Sequence, residues 1–254
     1  MSDKSRRRLR RLGAGVGVGA GVCGALLALG LMSVGGMRGG PSGDPSWVRE
    51  IVAGLAERGY DWIAIDLDGR VATVSGAAPD VDSLKYGFEA AETALQRGDH
   101  AADVGLVVDA TALEGGPAGV GAALAALGPA PEASACQDAF SATLEGRSIN
   151  FEPGRADLTD DNRRLLDALA AVAIRCGAYK VEVGGHTDAT GDVTTKNVLS
   201  QARADAVRAY LVGKGVAAEQ LDAQGYGARN PRDAGRGPAA DARNRRIEFT
   251  VSAS

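Results

Sequence analysis

Hydrophobic positions between residues 47 and 112 alternate between helical and strand spacing. Val48, Ile51 and Leu55 recur every three or four residues, which is typical of a helix. Short β-rich runs bounded by turn residues indicate strands. The predicted elements are a helix at 47–58, strands at 62–67 and 70–76, a helix at 80–96 and a strand at 103–109. This segment is therefore predicted to form a small αββαβ domain.

A second block of periodic segments occupies the C-terminal part of the chain. Helical stripes such as Leu165, Leu169 and Val172 alternate there with apolar runs of strand length. The predicted elements are a strand at 147–151, a helix at 160–175, a strand at 179–184, a helix at 194–214, and strands at 221–225 and 245–251. The order β/α/β/α/β-β predicts an α+β sandwich of mixed sheet and helices. A long polar excursion is expected at 226–244.

The segments around these two blocks carry different signals. A basic cluster at residues 4–11 precedes an uncharged stretch from Leu12 to Met37, whose length suits a membrane helix. An uncleaved anchor and a cleaved signal peptide stay open as alternatives, and either one exports the rest of the chain. Two stretches rich in glycine, proline and small residues are predicted linkers, and a short helix at 120–127 within the second one is an open alternative. The predicted division is 1–37 for the membrane segment, 38–46 for a linker, 47–112 for the αββαβ domain, 113–135 for a second linker and 136–254 for the C-terminal domain.

The charge distribution excludes one class of partner. The formal net charge of -4 hides an asymmetry, because the basic cluster lies at the N-terminus and the remainder is acidic. Aromatic residues make up only 4% of the chain. Without a basic face to neutralise phosphates or an aromatic platform for base stacking, we expect no nucleic-acid partner.

The most informative polar residues lie in the C-terminal block. Arg203 falls inside an apolar helical stripe, and a charge in that position needs a partner. Asp188 lies where the preceding predicted strand ends. The residue types alone leave two interpretations open: a structural Asp188–Arg203 ion pair, or a pocket in which both side chains meet a zwitterionic ligand.

Catalytic chemistry finds little support in the sequence. His100 and His186 are the only histidines, and neither has metal-ligand spacing to a cysteine or to the other histidine. His186 also lacks a recognisable nucleophile that it would activate. We therefore expect no enzyme activity, no cofactor and no metal site.

Short motifs between positions 147 and 252 occur in a characteristic order and spacing. They are Ile149-Asn150-Phe151, Gly185-His186-Thr187-Asp188, Leu199-Ser200, Arg203-Ala204, Gly225-Tyr226-Gly227, Pro231 and Asn244-Arg245-Arg246. Together they resemble the OmpA-like C-terminal domain, a periplasmic module that binds peptidoglycan. The resemblance implies that Asp188 takes the ammonium of diaminopimelate and that Arg203 takes its carboxylate through bidentate, charge-assisted hydrogen bonds.

The same resemblance implies a wider ligand site. Thr190 matches the loop hydroxyl, Glu152 stands where the family usually has Asp or Asn facing the ligand, and Arg245 matches the first arginine of the closing pair. One position departs from the pattern, because Lys196 occupies the usual Asn position and Asn197 is shifted by one residue. That shift turns the Asn197 side chain by about 100° on a helix, so this last candidate points in a different direction from its family counterpart.

The N-terminal αββαβ segment carries a second resemblance. Its turn Asp68-Gly69-Arg70-Val71 and the following Val74-Ser75-Gly76 resemble a BON domain, a small exported module associated with membrane or protein attachment. The resemblance implies envelope protein partners for this BON-like domain. An unrelated α+β spacer domain is the alternative.

Because the chain is expected to be exported, its cysteines are expected to meet an oxidising compartment. Cys136 lies just before the C-terminal block and Cys176 lies at the end of its first predicted helix. In an oxidising compartment we expect these two cysteines to form a disulfide. Two separate buried thiols are the alternative.

The sequence thus predicts a non-catalytic envelope protein that binds peptidoglycan through its diaminopimelate stem peptide and tethers membrane to cell wall. The expected location is the periplasm, with an inner-membrane anchor at the N-terminus, or the periplasm or outer membrane if the signal is cleaved. The alternative function is an envelope assembly or protein-docking module with little wall binding, which the departure at Lys196 motivates.

Overall fold

The computed structural model describes residues 44–115, 120–128 and 130–253. Its first part contains a three-stranded sheet with two helices. The elements are α1 (Ser46–Glu57), β1 (Ala64–Asp68), β2 (Val71–Ala78), α2 (Val81–Arg97) and β3 (Leu106–Leu113). β1 and β2 form an antiparallel hairpin, and β3 lies parallel to β2 on its other side. The αββαβ order predicted from the sequence is therefore present, while kinship with BON domains stays a prediction.

Local residue choices explain these elements. Asp80 caps α2, since its Oδ1 accepts a hydrogen bond of 2.7 Å from the backbone N–H of Ser83. The hairpin turns at Gly69, where φ is +59° and glycine carries no steric cost.

The sheet of the first part is covered on both faces. Three consecutive residues of β3, Leu106, Val107 and Val108, are each less than 5% exposed although their side chains alternate between faces. Val107 belongs to the core beneath α1 and α2, whereas Leu106 and Val108 belong to the core of the C-terminal part. A continuous apolar run of this kind is typical of a strand buried on two sides.

Two helices follow, α3 (Val120–Ala126) and α4 (Ala133–Leu144). α3 corresponds to the short helix considered at 120–127 within the predicted linker 113–135, and α4 begins near the end of that segment and continues beyond it. Val120 and Leu124 of α3 are buried in the C-terminal core. The segment is packed because its alanine and leucine residues present an apolar face, although it contains few charges to mark the opposite face.

The C-terminal part contains a second three-stranded sheet. Its elements are α5 (Arg163–Arg175), β4 (Tyr179–His186), α6 (Val193–Gly213), β5 (Leu221–Gly227), α7 (Pro238–Asn244) and β6 (Arg246–Ala253). β4 lies in the centre, parallel to β5 and antiparallel to β6. The α+β class is confirmed, and α7 is an addition within the excursion 226–244, where Pro238 occupies a first-turn position suited to proline.

The predicted strand at 147–151 is wrong. This segment has no strand pairing, because a buried side chain satisfies its backbone instead. Asn162 is 2% exposed, accepts a hydrogen bond of 3.0 Å from the Asn150 N–H and donates one of 2.7 Å to the Asn150 carbonyl. The segment stays extended while Ile149 enters the core.

Cys136 of α4 and Cys176 at the end of α5 form a disulfide bond, as predicted. The described residues form one compact unit. Within them, none of the helices has the length and apolar character needed to cross a membrane. The predicted membrane segment, Leu12 to Met37, lies outside the described residues.

Candidate ligand-binding site

A cavity of about 660 Å³ lies where β4 ends. The loop 187–192, the first half of α6, the extended segment 148–154 and the start of β6 surround it. Both polar and apolar side chains line it, which is the usual character of a small-ligand site.

Close packing of α6 against the sheet builds this cavity. A Cβ atom at Gly185 would lie 2.2 Å from the carbonyl oxygen of Ser200, and one at Gly225 would lie 2.4 Å from the backbone nitrogen of Gln201. Ser200 is fully buried and its hydroxyl accepts a hydrogen bond of 2.9 Å from the Gly227 N–H. Only glycine permits this approach, which brings the α6 side chains to the strand ends.

Asp188 is held in place by two donors. Its Oδ2 lies 2.9 Å from Nη1 of Arg245, and its Oδ1 accepts a hydrogen bond of 3.1 Å from the Thr190 N–H. Burial opposes ionisation, but the hydrogen bonds from Arg245 and Thr190, with the positive charges of Arg245 and Lys196, lower the pKa of Asp188 overall. The side chain is 20% exposed, so the carboxylate still faces the cavity.

Arg203 is a buried cation without a carboxylate partner. It is 6% exposed, and its Nε and Nη2 donate to the backbone carbonyls of Arg155 at 2.9 Å and Glu152 at 3.3 Å. Its guanidinium lies 4.9 Å from the ring centroid of Phe151. Burial and the nearby charge of Arg245 lower the pKa of Arg203, although Asp188 raises it in part.

The structural ion pair considered in the sequence analysis is therefore absent from the described residues. Arg245, and not Arg203, pairs with Asp188. No carboxylate of the described residues lies within ion-pair distance of Arg203. The cavity thus contains an engaged acid and a cation whose charge no acidic side chain neutralises.

The other predicted site residues divide into two groups. Thr190 and Arg245 line the cavity together with Asp188 and Arg203. Glu152 contributes only its carbonyl, because its exposed carboxylate turns to Arg155 at 3.3 Å. Asn197 also lies outside the lining, since its side chain packs against Gly227.

Lys196 is a further cavity residue, which the sequence motifs do not mark as a ligand residue. The structure places it in the cavity lining at 8% exposure. Lys196 and Arg203 are seven positions apart on α6, so they lie two turns apart on one helix face. That spacing is the signal that would have found it.

A second buried group borders the cavity. His186 is 3% exposed, stacks on Tyr226, and its Nε2 lies 3.2 Å from Oε2 of Glu248. The distance suits an ion pair, although the direction falls outside hydrogen-bond geometry. The contact with His186 lowers the pKa of Glu248 to about 2. Arg246 acts in the same direction, whereas burial opposes the shift. The neighbouring Thr187 hydroxyl is buried in the cavity lining without a hydrogen-bond partner among the described residues.

Comparison with known proteins identifies the matched segment. Residues 150–245 match the model of the OmpA family. The C-terminal part of the chain is therefore similar to the OmpA family. The matched residues include all of the cavity lining except Ser148, Ile149 and Arg246.

Three similar proteins illustrate the relationship of this OmpA-like domain. The peptidoglycan-associated lipoprotein of Haemophilus influenzae is 40% identical over 99 residues, which are 39% of this chain and 65% of that protein. The peptidoglycan-binding protein ArfA of Mycobacterium tuberculosis is 35% identical over 127 residues, which are 49% of this chain and 39% of that protein. The crystal structure of the peptidoglycan-associated lipoprotein from Burkholderia pseudomallei is 29% identical, with a TM-score of 0.40, covering 44% of this chain and 94% of that one.

The chain spans less than two thirds of the length of these two curated relatives. The OmpA-like family consists of non-enzymatic binding proteins, so the prediction that this domain is not an enzyme is confirmed. Among the described residues, no group of three His, Cys, Asp or Glu side chains is arranged to hold a metal ion.

Proposed function

We propose that the OmpA-like domain binds peptidoglycan by holding the free amphoteric end of diaminopimelate, and that the chain tethers a membrane of the cell envelope to the wall. Two of the similar proteins are named for an association with peptidoglycan. The residue pattern of this chain resembles the same binding module.

One observation carries the proposal: Arg203 is buried without a carboxylate partner in the cavity that Asp188 also lines. A buried cation is costly unless an anion or several hydrogen bonds compensate it. Its Nε and Nη2 are engaged by carbonyls, while Nη1 makes no hydrogen bond within the described part of the chain. A ligand carboxylate meeting Nη1 supplies the missing negative charge.

Asp188 provides the negatively charged half of the proposed binding site. Its lowered pKa keeps it ionised at neutral pH, and a carboxylate has more acceptor positions than the two that Arg245 and Thr190 occupy. A ligand ammonium therefore meets Asp188 while the ligand carboxylate meets Arg203. Only a ligand with both groups close together satisfies both residues.

The remaining lining residues position these two groups. Arg245 and the Thr190 backbone orient Asp188, and the carbonyls of Glu152 and Arg155 orient the guanidinium of Arg203. These fixed contacts reduce the ordering cost of binding, which is the advantage of preorganisation.

The tethering role rests on the remainder of the chain. We propose that the segment Leu12 to Met37 inserts in the inner membrane, or directs export before cleavage to the periplasm or outer membrane. The names of the relatives, which include an outer membrane protein of Haemophilus influenzae, support a location in the envelope. A BON-like role in contacting envelope proteins is proposed for residues 47–112.

Sedimentation with isolated peptidoglycan tests the binding proposal. The full chain, purified in a mild nonionic detergent, is mixed with diaminopimelate-type sacculi and centrifuged. We expect the wild type to sediment with the wall, and Asp188→Ala and Arg203→Ala each to lose most of the affinity. The expected loss is roughly 2–5 kcal/mol, the usual cost of removing one half of a buried charged contact.

Arg49→Ala is the matched control, because Arg49 is an exposed arginine of α1 far along the chain from the cavity. Circular dichroism establishes that each variant is folded. If folded Asp188→Ala and Arg203→Ala sediment as well as the control, the domain does not bind the wall through this cavity. Envelope assembly or protein docking would then be the better description of its function.

A further inference from the structure

Lys196 is a nearly buried lysine in the same cavity, and the proposed grip on diaminopimelate does not use it. It is 8% exposed, and its side chain runs beneath the loop 187–192, with Cε 3.9 Å from the position of a Cβ at Gly191. No hydrogen bond or ion pair of the described residues involves its ammonium group. A lysine held in such a place needs a negative group to compensate its charge.

The charges that line the cavity leave an excess of one cation. Arg246 is paired with Glu248 at 2.6 Å and is thus already neutralised. Three cations, Lys196, Arg203 and Arg245, then face two carboxylates, Asp188 and Asp192. A zwitterionic group brings one positive and one negative charge, so it leaves this excess unchanged.

Neither carboxylate pairs with Lys196. Asp188 is engaged by Arg245 and by the Thr190 N–H. Asp192 caps α6, where its Oδ1 accepts hydrogen bonds from the backbone N–H and the hydroxyl of Thr195 at 2.8 and 2.9 Å. The positive charge of Lys196 helps to lower the pKa of both acids, yet neither lies within ion-pair distance of its ammonium group.

We propose that Lys196 is a specificity-determining residue that binds a second carboxylate of the stem peptide, so that this domain prefers stem peptides with free carboxylates over amidated ones. The inference rests on the proposed function, since it assumes that the diaminopimelate end occupies Asp188 and Arg203. The ligand then carries a net negative charge, which cancels the cationic excess of the cavity.

Defined tripeptides separate the two proposals. The first probe is L-Ala–γ-D-Glu–meso-diaminopimelate with all carboxylates free. The second has the α-carboxylate of the D-Glu residue converted to an amide, and the third has the free-end carboxylate of diaminopimelate amidated. Calorimetry measures the binding of each to the full chain in detergent.

We expect the wild type to bind the first tripeptide about tenfold more tightly than the second, since a hydrogen bond to a charged group is worth about 1.5 kcal/mol or more. Lys196→Gln should reduce that preference to less than twofold, and Lys196→Arg should retain it. Lys85→Gln is the matched control, because Lys85 is an exposed lysine of α2. The third tripeptide should bind weakly to every variant.

The outcomes distinguish a failure of each proposal. If no tripeptide binds the wild type, the proposed function and this inference both fall. If the first tripeptide binds but the wild type accepts the second equally well, only the role of Lys196 is overturned. The same conclusion follows if folded Lys196→Gln keeps the tenfold preference.

Discussion

At the scale of single residues, a few buried polar side chains determine the charge of the cavity and the backbone contacts of the segment beside it. Arg203 and Lys196 are cations with little exposure, and Asn162 is an amide at 2% exposure. Each sits where an apolar residue would cost less to bury. We propose that a ligand compensates the two cations, whereas Asn162 bonds to the backbone of Asn150.

Asn162→Ala should destabilise the fold by about 2 kcal/mol, because it removes three hydrogen bonds and leaves the Asn150 N–H and carbonyl without partners. Urea unfolding of the full chain measures the change. Asn150→Ala is the control, since its backbone bonds to Asn162 survive and its own side chain is exposed. Equal losses in both variants would contradict the role assigned to the Asn162 side chain.

The sequence identifies the candidate site better than it identifies the geometry around it. The proximity of Asp188 and Arg203 to one cavity could be predicted, because an arginine inside an apolar stripe needs a partner and the family resemblance indicates the loop acid. The pairing of Asp188 with Arg245 was not, since 57 residues separate them in the chain. Side-chain direction also depends on tertiary contacts, which is why Glu152 lies outside the cavity lining, whereas the one-residue shift on the helix already indicated a different direction for Asn197.

At the scale of elements, secondary-structure predictions were wrong where hydrophobic periodicity does not tell which groups a segment packs against or bonds to. The alternation at Ile149-Asn150-Phe151 is typical of a strand, but pattern alone does not tell whether a neighbouring strand or a side chain accepts the backbone hydrogen bonds. The helix α4 was missed because it lacks the strongly charged face that marks an amphipathic helix, whereas α3 corresponds to the short helix considered at 120–127. Capped, strongly periodic helices such as α2 were found close to their observed bounds.

α4 is attached to the C-terminal sheet from two sides. Gln137 donates to the Phe249 carbonyl at 3.0 Å and accepts from the Val251 N–H at 2.9 Å, so it occupies the free edge of β6. The disulfide Cys136–Cys176 joins the same helix to the end of α5. Both links hold in place a helix that has little amphipathic character of its own.

Removal of the disulfide should lower the free energy of unfolding by about 4 kcal/mol, as loop-closure entropy predicts for a loop of this length. The bond closes a loop of 40 residues. We expect dithiothreitol to shift the urea midpoint of the wild type downward and to leave a Cys136→Ala/Cys176→Ala double variant unchanged. Cys23→Ala should respond to the reductant as the wild type does. An unchanged wild-type midpoint under full reduction would contradict the prediction.

At the scale of the molecule, the two sheets share one hydrophobic core. Val71, Leu106 and Val108 of the first sheet belong to the cluster that also contains α5 and β4 residues. Arg164 of α5 reinforces the contact, because its Nη1 lies 3.0 Å from Oδ2 of Asp109 on β3. Independent domains joined by a flexible linker would have separate cores instead of one continuous core.

Val108→Ala tests this shared core. Val108 is fully buried, so we expect a loss of about 2 kcal/mol from the lost transfer energy and the cavity left behind. Tryptophan fluorescence reports on the first part, because both tryptophans, Trp47 and Trp62, lie there. Hydrogen exchange of the β4 amides reports on the C-terminal part.

A shared core requires that both probes follow one transition and lose the same free energy in Val108→Ala, since neither sheet remains covered when the other unfolds. Val81→Ala, at a valine that is 66% exposed, should change neither probe. If only the tryptophan signal shifts, the two parts unfold independently. The segment 113–135 would then act as the linker that its composition suggests, and the OmpA-like domain would keep its stability without the sheet that covers α5.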